Sequence, residues 1–86
     1  MYKLVYSDQV IEKDIPKLSN PIKERIKNAI ESKLLVDPVK FGKPLRYNLQ
    51  GCRRLRIGDY RVIYQLIGNN INILVIQHRK DCYNLT

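Results

Sequence analysis

Histidine occurs once in this 86-residue chain, as His78, and cysteine twice, as Cys52 and Cys82. Their spacing matches no metal-ligand set, so neither a zinc centre nor any other cofactor is expected. In a reducing compartment the two cysteines are expected as free thiols, and neither is assigned a role. No apolar run approaches the roughly 18–20 residues of a membrane span. The start, MYKLVYSD, has no signal-peptide core, so a cytoplasmic protein without a membrane partner is expected. Linkers, repeats and low-complexity segments are missing too. A chain of this size makes one domain with one small core.

Acidic residues are scarce in a more telling way. Beyond residue 39 there are only Asp59 and Asp81, set against nine lysines and arginines, whereas the first 39 residues carry seven cations and six acids. Nearly all of the net charge of +8 therefore lies in the second half. Six of the seven arginines follow residue 45, and four of them fall within Cys52–Arg61. A folded domain tolerates such self-repulsion mainly when an anion is its working partner.

The apolar pattern predicts an α+β fold. Tyr2–Tyr6 alternates as a short strand. Ser7 or Asp8 can cap a helix with Val10, Ile11, Ile15 and Leu18 as its apolar positions, interrupted at Pro16. Asn20-Pro21 begins a second helix, whose apolar face is Ile22, Ile26, Ala29, Ile30 and Leu34, and Asp37-Pro38 ends it. Lys40–Gly51 reads as a loop. Three strands follow, Cys52–Ile57, Tyr60–Ile67 and about Ile71–Gln77, joined by turns at Gly58-Asp59 and Gly68-Asn69-Asn70. The expected architecture is a strand, a helical hairpin and a three-stranded antiparallel meander that completes a four-stranded sheet.

A two-residue turn at Gly58-Asp59 sets Arg56 opposite Arg61 and Leu55 opposite Val62. One face then holds Leu55, Ile57, Tyr60, Val62, Tyr64 and Leu66 and packs under the helices. The other holds Arg54, Arg56 and Arg61, while Arg53 alternates onto the core face near its end, where a structural role is open to it. A solvated surface, or a device against edge pairing, explains any one of these arginines as well as a binding role does. Three on one face favour a polyanion site. Simple alternation places His78 on the face of Arg61 and leaves Arg79 undetermined. A lone histidine is more often structural than catalytic, and Tyr83 reads first as a packing residue.

Three segments carry a resemblance that spans nearly the whole chain. They are Gly42-Lys43-Pro44-Leu45, the run Leu55-Arg56-Ile57-Gly58-Asp59-Tyr60-Arg61-Val62-Ile63-Tyr64, and His78-Arg79-Lys80-Asp81 with Tyr83. With this element order the chain resembles toxins of the RelE/ParE superfamily from bacterial toxin–antitoxin pairs, and more closely the RelE branch. The resemblance implies a ribosome-dependent endoribonuclease that cuts mRNA in the A site through attack by the ribose 2′-hydroxyl, without a metal. It implies catalytic roles for Arg61, Arg79, Tyr83 and Arg54, with Arg61 the main transition-state stabiliser. RNA-binding roles fall to Arg56, Arg53, Lys43, Arg46, His78 and Lys80.

The family can use lysine where this chain has Arg54, and an arginine is a poor general base. That role passes to His78 or Tyr83, or the site works by orientation and charge. Cys52 and Arg53 also depart from the bulkier apolar or aromatic residues that are common there. The implied partners are a cognate antitoxin, ribosomal RNA and mRNA, with operator DNA reached only through the antitoxin. A ParE-type inhibitor of DNA gyrase and a non-catalytic RNA-binding member are the alternatives.

Overall fold

The computed structural model of the chain describes residues 1–45 and 51–82. Its sheet has five strands in the order β1-β5-β4-β3-β2. These are β1 (Lys3–Tyr6), β2 (Lys43–Pro44), β3 (Cys52–Ile57), β4 (Tyr60–Ile67) and β5 (Asn70–His78). β1 runs parallel to β5, and the other pairs are antiparallel. The meander and the N-terminal strand match the α+β expectation.

The fifth strand, β2, lies inside the expected loop. Two residues are too short to show a period. Lys43 pairs with Arg54 and Pro44 with Arg53, and the Leu45 N–H donates to the Cys52 carbonyl at 3.1 Å. Proline is tolerated there because β2 is an edge strand.

The helical layer follows its punctuation closely. Ser7 Oγ accepts the Val10 N–H at 3.2 Å, the capping contact expected at that residue. A π-helical turn, Val10–Asp14, tightens into a 3-10 turn at Ile15–Lys17, where Pro16 stops it. Helix α1 (Asn20–Ala29) has proline in its first turn and widens into a π-helical turn at Ile30–Leu34. Asp37 does more than end that helix. Its Oδ1 accepts the N–H groups of Val39 and Lys40 at 3.2 and 3.0 Å, and so starts a second short helix, α2 (Pro38–Phe41). A final turn, α3 (Arg79–Cys82), follows β5 directly. No helix among the described residues is long and apolar enough to cross a membrane.

The core lies between this layer and one face of the sheet. Val10, Ile26, Ile30 and Leu34 pack on Leu55, Ile57, Val62, Tyr64, Ile71, Ile73 and Ile76, all buried. The β3–β4 register is the expected one, with Ile57 opposite Tyr60, Arg56 opposite Arg61 and Leu55 opposite Val62. Gly58, at φ +58°, supplies the left-handed residue of the hairpin turn.

β5 departs from simple alternation. Ile63 pairs with Val75 and Tyr64 with Ile73, so Leu74 is an extra residue, a β-bulge. Its backbone groups find partners in the helical layer. Ser7 Oγ donates to the Leu74 carbonyl at 3.0 Å, and the buried Asp14 carboxylate accepts the Ile76 N–H at 2.9 Å. Gln9 Nε2 donates to the other Asp14 oxygen at 3.1 Å. β1 ends at Tyr6, opposite Ile73, so these side chains take over where strand pairing stops. The bulge reverses the face of every later residue in β5.

Candidate functional site

Cross-strand partners share a face, and two rows of them build the open side of the sheet. One runs Lys43, Arg54, Ile63, and the other Arg56, Arg61, Gln77. Each row sets two cations directly opposite one another, which costs some tenths of a kcal/mol per pair. Beside them, at the edge of β3, lies a groove of about 510 Å³, lined by Lys33, Lys43, Arg54, Arg56, Arg61 and Arg79 together with Phe41, Leu55 and Tyr60, and with Asp59 the single acid among its lining residues. Lys33 comes from the π-helical turn and was not singled out from the sequence.

Arg61 is the most constrained of these cations. It is half-buried between Arg56 and Gln77, and its Nη2 donates to Gln77 Oε1 at 3.1 Å. Its Nε is a buried donor with no acceptor among the described residues. The Nε of Arg53, on the other face, is buried without an acceptor in the same way, and each such donor costs about 1–3 kcal/mol. Arg56 is exposed and turned back on the hairpin, with Nε donating to the Gly58 carbonyl at 3.3 Å. Arg54 is exposed and faces Lys43.

The end of β5 resolves the placement of Arg79. Its N–H donates to the Asp59 carbonyl at 2.7 Å, which seats the first residue of α3 on the β3–β4 turn. Its Nη1 lies 3.9 Å from Asp59 Oδ1, with both side chains more than half exposed, so the pair adds little stability. Arg79 thereby lines the same groove as Arg61.

Other expected members are elsewhere. His78 does not share the face of Arg61. The bulge turns it towards Tyr60, where the two rings meet edge to face with centroids 5.0 Å apart. Its Nδ1 accepts the Lys80 N–H at 3.1 Å, a local cap on α3. The Lys80 side chain is exposed and does not line the groove. Arg46 and Tyr83 lie outside the described residues. No cluster of histidine, cysteine and carboxylate side chains suited to a metal occurs among the described residues.

Arg53 is on the core face, as alternation allowed, and there it acts as a joint. Its Nη2 donates to the carbonyls of Val39 and Gly42 at 2.6 and 2.8 Å. Beside it, Tyr64 Oη donates to the Pro38 carbonyl at 2.6 Å. A Cβ on Gly42 would collide with Tyr64 Oη, so only glycine fits. Burial pushes the Tyr64 hydroxyl above the ordinary tyrosine pKa, with Arg53 opposing and Asp37 adding to the shift. This joint holds α2 and the start of β2 against β4, and so sets Lys43 in its row.

Besides Lys33, sequence reasoning missed Gln77. The available signal lay in Ser7 and Asp14, polar residues whose partners could not be named from the chain alone.

Comparisons with known proteins agree with this architecture. The family model described as ParE toxin of type II toxin–antitoxin system, parDE, matches residues 4–83. Toxin RelE of Mycobacterium tuberculosis (strain ATCC 25618 / H37Rv) is 32% identical over 75 residues, which are 85% of this chain and 77% of that protein. A chain of the crystal structure of the toxin–antitoxin complex RelBE2 from Mycobacterium tuberculosis superposes with a TM-score of 0.82 at 29% identity, covering 91% of this chain and 98% of that one. The isolated E. coli RelE toxin shares the fold over 100% of both chains, with a TM-score of 0.75 at 17% identity. The chain belongs to this family: it is a RelE-like toxin of a type II toxin–antitoxin system.

Proposed function

We propose that the chain is a ribosome-dependent endoribonuclease that cleaves mRNA in the A site and arrests translation. The observation that carries this reading is Arg61, a half-buried guanidinium oriented by Gln77, in a groove whose lining includes six cations and one acid. In-line attack of a ribose 2′-hydroxyl on the adjacent phosphate forms the P–O2′ bond, breaks the P–O5′ bond and builds negative charge on the phosphoryl oxygens; the proton lost by the 2′-oxygen is balanced by the one that the leaving 5′-oxygen takes up. Preorganised cationic donors stabilise that charge without having to reorganise. Arg61 supplies them at the centre and Arg79 at the rim, while Lys43, Arg54 and Arg56 hold the flanking backbone.

An arginine at position 54 is a poor general base, and His78 packs on Tyr60, away from Arg61. The rate then comes from orientation and charge, with Tyr83 assisting and proton removal shared with the ribosome. The excess of cations docks the toxin on ribosomal RNA, so association weakens steeply with salt. In the resting pair the antitoxin covers this basic surface, and operator DNA is reached only through it.

Primer extension on programmed ribosomes tests the reading. The purified chain should cut within the A-site codon and leave ribosome-free message intact. Failure to cut under conditions of saturating ribosome binding would show a docking protein rather than a nuclease. The ParE description of the matching family model favours a second reading, inhibition of DNA gyrase. Trapped gyrase–DNA cleavage complexes with untouched ribosomes would decide for it.

A further inference from the structure

We propose that Gln77 is a positioning residue for Arg61, put in place by the β5 bulge; this rests on the cleavage reading above. Arg61 sits in a row between Arg56 and Gln77. Arg56 repels it, and Gln77 Oε1 accepts from its Nη2 at 3.1 Å. The two effects act in the same direction, drawing the guanidinium towards β5. The acceptor is neutral. A carboxylate would hold Arg61 as firmly but would compensate its charge, whereas an amide oxygen orients the group and leaves its full charge for a phosphate.

The bulge is what makes this contact possible. Without the extra residue at Leu74, alternation would put His78 on the Arg61 face and turn Gln77 under the helices. Ser7 and Asp14 fix the bulge by binding the Leu74 carbonyl and the Ile76 N–H. Contacts 67 and 62 residues apart in sequence therefore determine which side chain meets Arg61.

The test uses Gln77→Met, which keeps length but removes the acceptor, and Gln77→Glu, which keeps the acceptor but adds charge. Both are compared with wild type by thermal melting, ribosome affinity, single-turnover cleavage and ¹⁵N NMR of the Arg61 guanidinium. Gln77→Met should speed rotation and hydrogen exchange at that guanidinium. It should also slow cleavage on the order of ten- to a hundredfold at saturating ribosomes, with affinity and melting temperature unchanged. In an Arg61→Ala background it should cause no further loss, because its effect runs through Arg61. Gln77→Glu should restrain the guanidinium yet still slow cleavage.

An unchanged guanidinium signal in Gln77→Met would overturn the proposal, as would an equal loss of rate with and without Arg61. If wild type cuts nothing on ribosomes, the cleavage reading falls, and the NMR comparison still decides whether Gln77 positions Arg61.

Discussion

Arg53 and Arg54 are adjacent in β3 and identical in chemistry, yet they face opposite sides of the sheet. Arg53 ends in two backbone carbonyls, at Val39 and Gly42, and fastens α2 to the core. Arg54 ends in a cationic groove, facing Lys43 across the strand pair. Charge count cannot tell them apart; the distinction lies in how much of each guanidinium is already committed. The same holds for the two faces as wholes. The helix-packed face spends most of its polar groups on internal partners, such as Tyr64 on Pro38 and Asp14 on Ile76, with Arg53 Nε an exception. The open face keeps like charges side by side and lacks the acids to neutralise them.

The harshest way to break this comparison is to neutralise the open face alone. Replacing Arg54, Arg56 and Arg61 together by glutamine should abolish detectable cleavage. It should also reduce the slope of log affinity against log salt for ribosome binding by about three, one for each phosphate that loses its cation. The melting temperature should hold or rise, because two like-charge pairings are relieved. Unfolding of this variant would mean that the open face is structural after all.

A finer test separates the two neighbours. Arg53→Met should lower unfolding free energy in urea by about 1–3 kcal/mol, as two carbonyls lose a charged donor. Its cleavage rate per folded molecule should change little. Arg54→Met should do the reverse, leaving stability flat or higher by tenths of a kcal/mol while weakening ribosome binding. Matching effects from the two substitutions would erase the distinction between the faces.

The smallest effect is a pH dependence confined to the helix-packed face. Burial raises the hydroxyl pKa of Tyr64 and of Tyr6, and Glu31 adds to the shift at Tyr6. The folded state then holds these protons at pH values where the unfolded chain has released them. Their contribution is complete below the unfolded value of about 10 and is lost as pH rises through the higher folded values. Stability should therefore decline above about pH 10, and less so in Tyr64→Phe when melting is followed by circular dichroism.

Much of this contrast was legible in the sequence, for reasons that differ by element. The two-residue turn at Gly58-Asp59 pins β3 against β4, so the rows through Arg54, Arg56 and Arg61 followed from alternation. Pro16 and Asn20-Pro21 punctuate the helices with fixed backbone preferences, and those boundaries held. The misses arose where tertiary contacts overrule local pattern. Nothing near Leu74 announces a bulge; it depends on Ser7 and Asp14 at the other end of the chain, and it puts Gln77 instead of His78 on the open face. β2 is too short to show a period, so the expected four strands became five. Asp37-Pro38 is equally good as a helix stop and a helix start, and here it serves as both. Arg53 could be placed on the core side, but its carbonyl partners could not be named before α2 was located.

Single-turnover cleavage of ribosome-bound message by Arg61→Ala, measured with ribosome occupancy saturated and recorded alongside, tests the central claim most directly. The account predicts a rate lower by about a hundredfold or more with ribosome affinity nearly intact, since docking loses one of many cations but the transition state loses its central donor. A parallel loss of rate and affinity, or a rate equal to wild type, would contradict it.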